Sequence, residues 1–147
     1  MNNVGPLLQI GQQTFDGLGR QLTVTVGRRT TGFDYKPGQL PPDANVLADG
    51  KRVAFTYEPA LDNQLLSIAP AGEPANAFTF HPNLALPASS NGPLGTLAMA
   101  YSPSGKALED TWSVDGKAHI TTWRHTLNGL RQGLVDSNGS DHRYEYD

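Results

Sequence analysis

A bulky ring-bearing residue returns at nearly regular intervals along this chain, and that period limits what the chain can fold into. The positions are Phe15, Tyr35, Tyr57, Phe80, Tyr101, His125 and Tyr146, separated by 20, 22, 23, 21, 24 and 21 residues. A mean period of about 22 residues is the signature of a repeat architecture, in which one supersecondary unit stacks on the next. A second position tests the register. Two residues before each anchor stand Phe33, Phe55, Phe78, Met99, Trp123 and Tyr144, and only the first unit departs, with Gln13. Residues i and i−2 of a strand share a face. Each unit therefore places a pair of bulky side chains on one side of a sheet.

The local pattern says the unit is a hairpin. Hardly any window sustains helical apolar spacing, because 16 Gly and 11 Pro interrupt nearly every stretch of a dozen residues. By contrast, Leu22 to Val26, Val53 to Tyr57 and Leu97 to Tyr101 alternate large and small or polar residues, as half-buried strands do. A turn follows each anchor. Gly19, Gly105 and Gly129 lie four residues after theirs and Gly38 three; Pro37, Pro59, Pro82 and Pro103 lie two after. Second strands begin at Gln21 to Val26 and Gln64 to Ile68. The expectation is an all-β chain of tandem antiparallel β-hairpin repeats of about 22 residues, forming a curved sheet strip of ~10–14 short strands. Lys36 through Arg52 is expected to be a longer loop with an extra turn. Ser89-Ser90-Asn91-Gly92-Pro93 and Ser137-Asn138-Gly139-Ser140 read as turns or loops.

Charge and composition exclude several classes. The 147 residues carry a net charge of −3 and no basic cluster, which argues against a nucleic-acid partner. There is no Cys, hence no disulfide, thiolate metal site or Cys nucleophile. No run of 18 apolar residues exists to span a membrane as a helix. The start, Met1-Asn2-Asn3-Val4-Gly5-Pro6, does not read as a secretory signal.

Candidate chemistry is sparse. His119 and His125 are six residues apart, too far along one strand to share a metal, and His81 reads as a turn residue while His125 fills an aromatic slot. The acidic pairs Glu109-Asp110 and Asp141 with Glu145 lack a sign of cooperation, since neighbours on a strand point to opposite faces. Gly17-Leu18-Gly19 lacks the third glycine and the following helix of a phosphate loop. No catalytic, metal-binding or cofactor-binding residue is assigned, and no cofactor is expected.

Phe15-Asp16-Gly17-Leu18-Gly19-Arg20-Gln21-Leu22 resembles the core of a tyrosine-aspartate (YD, or Rhs) repeat: aromatic, Asp, two spacers, Gly, Arg, spacer, Leu. Tyr144-Glu145-Tyr146-Asp147 resembles the start of another. Tyr101-Ser102-Pro103-Ser104-Gly105-Lys106-Ala107-Leu108 keeps the aromatic, Gly, basic and Leu positions but has Ser for Asp, and Asn128-Gly129-Leu130-Arg131 is shifted by one at its basic residue. The units at Tyr57 and Phe80 keep the aromatic and lose the Gly. The resemblance covers nearly the whole chain from residue 14, within one domain spanning 1–147. Residues 1–13, with Leu7-Leu8, read as the tail of a preceding repeat.

Rhs/YD proteins are large, mostly bacterial, and build a β strip that spirals into a hollow shell around a toxic C-terminal polypeptide. The resemblance therefore implies a structural, non-enzymatic shell segment, secreted or delivered by a bacterial secretion system as part of a larger protein. Its partners would be the rest of the shell and the enclosed toxin polypeptide. No self-cleavage motif or toxin domain is recognisable, so a fragment of a longer array, or a short orphan array, is expected. Two other readings remain. One is a β-repeat module that binds carbohydrate or a cell-surface polymer through its aromatic rows. The other, ranked last, is a small hydrolase on a β sandwich.

Overall fold

The computed structural model describes residues 11–146; Leu7-Leu8, read above as the tail of a preceding repeat, lies outside them. The described chain forms 13 strands: β1 (Gly11–Phe15), β2 (Gln21–Val26), β3 (Arg29–Asp34), β4 (Ala44–Val46), β5 (Arg52–Glu58), β6 (Gln64–Pro70), β7 (Asn76–Phe80), β8 (Pro87–Gly92), β9 (Gly95–Tyr101), β10 (Ala107–Val114), β11 (Lys117–His125), β12 (Arg131–Asp136) and β13 (Asp141–Arg143). All 13 belong to one sheet in strict chain order, each antiparallel to the next. No pairing joins β1 to β13 among the described residues, so the sheet is an open strip and not a barrel. A single 3-10 turn at Pro59–Leu61 is the only helical element described.

The repeat period has a backbone cause. At each anchor that lies within a strand the register slips by one residue. Phe15 pairs with Gln21, Tyr57 with Leu65, Phe80 with Pro87, Tyr101 with Ala107 and His125 with Arg131, and the partner strand carries one unpaired residue just beyond. Such bulges bend and twist a strand locally. At five of the seven anchors the sequence period thus marks the place where the ladder is interrupted.

The turns after the anchors share one construction. Asp16, Ser102 and Thr126 each accept, through the backbone carbonyl, the N–H of the glycine three residues on (Gly19, Gly105 and Gly129). Those glycines sit at φ of 77°, 81° and 86°, a left-handed conformation that side chains with a Cβ adopt at a cost. The Asp136 to Ser140 turn repeats it with Gly139.

Pairing across the ladder places Leu22, Val24, Phe33, Val53, Phe55, Ile68, Phe78, Leu97, Met99, Trp112, Trp123 and Leu134 on one face. The opposite face carries Thr14, Thr23, Thr25, Thr30, Thr56, Ser67, Thr79 and Ser89. Face to face within this second set, hydroxyls pair across strands: Thr14 with Thr23 at 2.6 Å, Thr25 with Thr30 at 2.9 Å, Thr56 with Ser67 at 2.7 Å and Thr79 with Ser89 at 2.7 Å. The strip is one layer thick, and Ala44 is the only buried hydrophobic residue described. The apolar face is half-buried by its own neighbours, with no second layer to seal it.

Two expectations need correction. The stretch from Lys36 to Arg52 is not only a loop: β4 lies inside it, bridging β3 and β5. Three residues between Pro41-Pro42 and a turn are too short to show alternation. Arg52 reinforces the join, pairing with Asp34 directly across β4 and with Asp43 at 3.4 Å. Likewise Ser89 to Gly92 is strand β8, not a turn, and only Pro93-Leu94 reverses the chain. A strand laddered on both sides is held by its backbone, so small polar residues serve there.

Candidate functional site

The anchors do more than punctuate. Tyr35 Oη donates to the Gln21 carbonyl at 3.0 Å, Tyr57 Oη to Pro42 at 2.8 Å, Tyr101 Oη to Pro87 at 2.7 Å and Tyr146 Oη to Arg131 at 2.6 Å. Gln21, Pro87 and Arg131 are the residues that pair with the preceding anchors Phe15, Phe80 and His125. The hydroxyls of Tyr35, Tyr101 and Tyr146 therefore reach back to the slipped pair of the hairpin before them, while that of Tyr57 reaches Pro42, just ahead of β4. The result is a line of tethers along the strip. Phe80 has no hydroxyl, and His125 makes no such bond; its Nδ1 is buried without a partner. The sequence reading missed this line. Its signal was available: Tyr stands at four anchors where Phe would fill the same space.

The motif that carries the YD resemblance is a second link between units. Asp16 Oδ1 accepts the backbone N–H groups of Leu18 and Arg20, both at 2.9 Å, and Oδ2 accepts Arg20 Nε at 2.7 Å. The N–H of Arg20 is the main cause that holds the Asp16 carboxyl below its usual range, against a smaller opposing effect of desolvation. Arg20 then spans to the next unit. Its Nη1 donates to Gln39 O at 2.7 Å and Lys36 O at 3.4 Å, and its guanidinium lies 4.5 Å from the Tyr35 ring centroid. Where Asp is replaced, Ser102 Oγ and Thr126 Oγ1 accept the same N–H, from Lys106 and Leu130, at 3.1 Å. Asp136 repeats the Asp arrangement, and the Ser140 N–H lowers its carboxyl range.

None of these shifted carboxylates is raised, as a general acid would need. Asp141 is lowered as well: desolvation pushes it up, and Arg143 with Arg124 outweighs that. Burial raises the Tyr57 hydroxyl above its usual range, helped by the Asp43 charge. Glu109 and Asp110 point to opposite faces of β10; Asp110 accepts from Trp123 Nε1 at 3.2 Å, and Glu109 from Thr111 Oγ1 at 3.2 Å. His81 starts the turn to β8, its ring edge-on to Tyr101 at 6.3 Å. No group of three or more potential metal-ligating side chains converges among the described residues. No described helix is long and apolar enough to cross a membrane.

No protein-family model matches the sequence, and no curated protein matches it. Solved structures do. Against the crystal structure of TcdB2-TccC3-Cdc42 the TM-score is 0.75 at 17% identity, over 94% of this chain and 8% of that one. TcdB2-TccC3-TEV gives 0.74 at 17% identity over the same shares, 94% and 8%. The Photorhabdus luminescens Tc holotoxin pore gives 0.61 at 14% identity, over 92% of this chain and 10% of that one. The chain spans no more than 10% of the length of these structures. At such identities the likeness shows the fold: this open hairpin strip is one that Tc toxin assemblies contain.

Proposed function

We propose that the chain is a wall segment of a bacterial toxin shell of the Rhs/YD kind, a structural part and not an enzyme. The observation that carries this reading is the coreless strip. Thirteen strands run in chain order in one layer, with Ala44 as the only buried hydrophobic residue described. A globule hides its apolar face inside itself; a wall presents one face to each of two spaces. The tyrosine tethers join four of the six pairs of neighbouring units, and the Arg20 bridge reinforces the first, which suits a strip that must hold its shape over a long path. In this reading the partners are further units of the same array and the polypeptide they enclose. Delivery outside the producing cell follows from that role. A general sugar-binding role for the aromatic rows has less support, because five of the seven anchor rings are half-buried, all but Phe15 and Tyr146, and four anchor hydroxyls are already bonded.

Protease challenge of the full-length protein that carries this segment tests the reading. The expected result is a polypeptide C-terminal to the repeats that resists digestion, and that becomes sensitive when Phe55→Glu and Tyr101→Glu together break the strip. Digestion at the same rate in intact and broken protein would refute enclosure.

A further inference from the structure

The joins between neighbouring units are not equally made. β2–β3 and β8–β9 are laddered by four residue pairs each, β10–β11 by six, and β4–β5 and β12–β13 by three. Between β6 and β7 there are two, Ser67–Ala77 and Ile68–Asn76. The three-pair joins are reinforced. Arg52 of β5 pairs with Asp34 and Asp43, and Tyr57 bonds to Pro42. Tyr146 bonds to Arg131, and Arg124 reaches Asp141 of β13. The β6–β7 join has no such support. Among the described residues no side-chain hydrogen bond or ion pair crosses it, and Phe80 stands where a tyrosine would reach the Leu65 carbonyl.

Both ends of that short ladder are blocked. Toward the anchors, Thr56 pairs with Ser67 and Tyr57 with Leu65, so Leu66 is a bulged residue, and a bulge bends its strand and disrupts the ladder. At the other end the limit is proline. The Ala71 N–H donates to the Arg52 carbonyl at 2.8 Å, so by alternation Ile68 and Pro70 turn their backbone groups toward β7. Continued in register, Pro70 meets Pro74, and neither has an N–H to donate. Ala71 to Ala75, all exposed, then connect the two strands. Gly27-Arg28, Pro93-Leu94 and Asp115-Gly116 close their joins in only two residues.

We propose that the β6–β7 join is a joint, at which the strip bends or parts while the sheets β1–β6 and β7–β13 stay folded on either side. Its two residue pairs break together in one local opening. Each remaining sheet keeps more than three strands and an apolar face, enough to hold a layer. The other untethered join, between the Tyr101 and His125 units, does not behave this way, because six pairs ladder it. The joint belongs to the strip whether or not the strip encloses anything; in addition, and resting on the shell reading, it is where such a wall yields first.

Native-state amide exchange of the ¹⁵N-labelled chain tests the joint, because alternation sorts the amides of one strand by the neighbour they face. Ile68 and Asn76 face each other across the joint, whereas Ser67 and Ala69 face β5 and Ala77 faces β8. Ser90 and Leu97 face each other across the tethered β8–β9 join. Ile68 and Asn76 are expected to be about tenfold or more less protected than Ser90 and Leu97, with Ser67, Ala69 and Ala77 remaining protected. Phe80→Tyr supplies the missing hydroxyl and should raise protection at Ile68 and Asn76 by about threefold, with Ser90 and Leu97 unchanged. Ser67→Cys with Ala77→Cys locks the joint through a disulfide in a chain that has no other Cys. Oxidation should bring Ile68 and Asn76 to the protection of Ser90 and Leu97, and reduction should reverse it. Equal protection at the two joins of the unaltered chain would overturn the proposal. So would exchange of Ser67 and Ala69 in step with Ile68, because β6 would then be unfolding and not parting from β7. Protection of Ile68 and Asn76 left unchanged by the oxidised disulfide would also refute it.

Discussion

Phe33, Phe55, Phe78, Met99 and Trp123 fill one face of the strip, while the residues flanking them on the other face are Gly32 and Asp34, Ala54 and Thr56, Ala77 and Thr79, Ala98 and Ala100, and Thr122 and Arg124. One backbone thus carries two surfaces of opposite chemistry. Along β9, Leu97, Met99 and Tyr101 are half-buried and Thr96, Ala98 and Ala100 are exposed. The apolar face gains from contact among its own side chains. The hydroxyl face gains little from burial, and its paired hydroxyls lose little in water. A strip built this way is stable as one layer only if the apolar face contributes most of the free energy.

Substitution of adjacent residues tests that inequality, and the effect is expected to be largest here. Phe55 lies 6.5 Å, centroid to centroid, from Tyr57 and pairs with Ile68. A fully buried Phe→Ala change costs ~3–5 kcal/mol. Phe55 is only half-buried, so Phe55→Ala should cost ~1.5–3 kcal/mol. Thr56→Ala, one residue away on the other face, should cost under ~1 kcal/mol. Urea unfolding of both variants measures the two. Equal losses would mean that the faces do not differ energetically.

The tethers belong to the apolar side and should contribute next. Tyr57→Phe removes a part-buried hydrogen bond to Pro42 and should cost ~0.5–1.5 kcal/mol. Phe80→Tyr fills a gap in the line, where the acceptor in the pattern is the carbonyl of Leu65, the residue paired with Tyr57. Thermal melting should show a rise for Phe80→Tyr and a fall for Tyr57→Phe. A fall for both would mean that the hydroxyl line is incidental to stability.

The links at the turns give the comparison a pH dependence. The carboxyls of Asp16 and Asp136 are held below the usual carboxylate value, chiefly by the backbone N–H groups of Arg20 and Ser140. Their contribution is present above the unfolded value, about pH 4, and is lost as pH falls through the folded value. Asp16→Asn with Asp136→Asn should therefore flatten the acid limb of a stability profile below about pH 4. Tyr57 runs the other way. Burial first, then Asp43, raises its hydroxyl above the usual value of 10.0, so its contribution is complete below about pH 10 and declines as pH rises further. A double Asn variant with an unchanged acid limb would remove the turns from the account.

Much of this plan was readable from residue order alone. The period marked positions that turn out to be bulges at five of the seven anchors, and the bulky position two before the anchor located the apolar face. What escaped depends on contacts between units. Nothing in Ala44-Asn45-Val46 marks a strand until β3 and β5 flank it, and the Ser-rich β8 looks like a turn until β7 and β9 ladder it.

The smallest effect is expected on the hydroxyl face, and it separates stability from solubility. Thr25 and Thr30 share a hydroxyl pair at 2.9 Å near the N-terminal end of the described strip. Valine keeps their shape and strand preference while removing both hydroxyls. Because both partners go together, no acceptor is left unmatched, and the change in folding free energy should stay within about 0.5 kcal/mol. The same change turns a wet patch into an apolar one, next to β1, whose residues Gly11–Phe15 carry no charge and are all exposed. The β13 end is better protected by Asp141 and Arg143. Uncharged edges with apolar surroundings favour association with another chain. Sedimentation over a hundredfold concentration range should therefore show more association for Thr25→Val with Thr30→Val than for the parent, at nearly equal unfolding free energy. A loss of stability above about 1 kcal/mol with unchanged association would mean that the hydroxyl pairs hold the fold together, and the division of labour between the faces would fail.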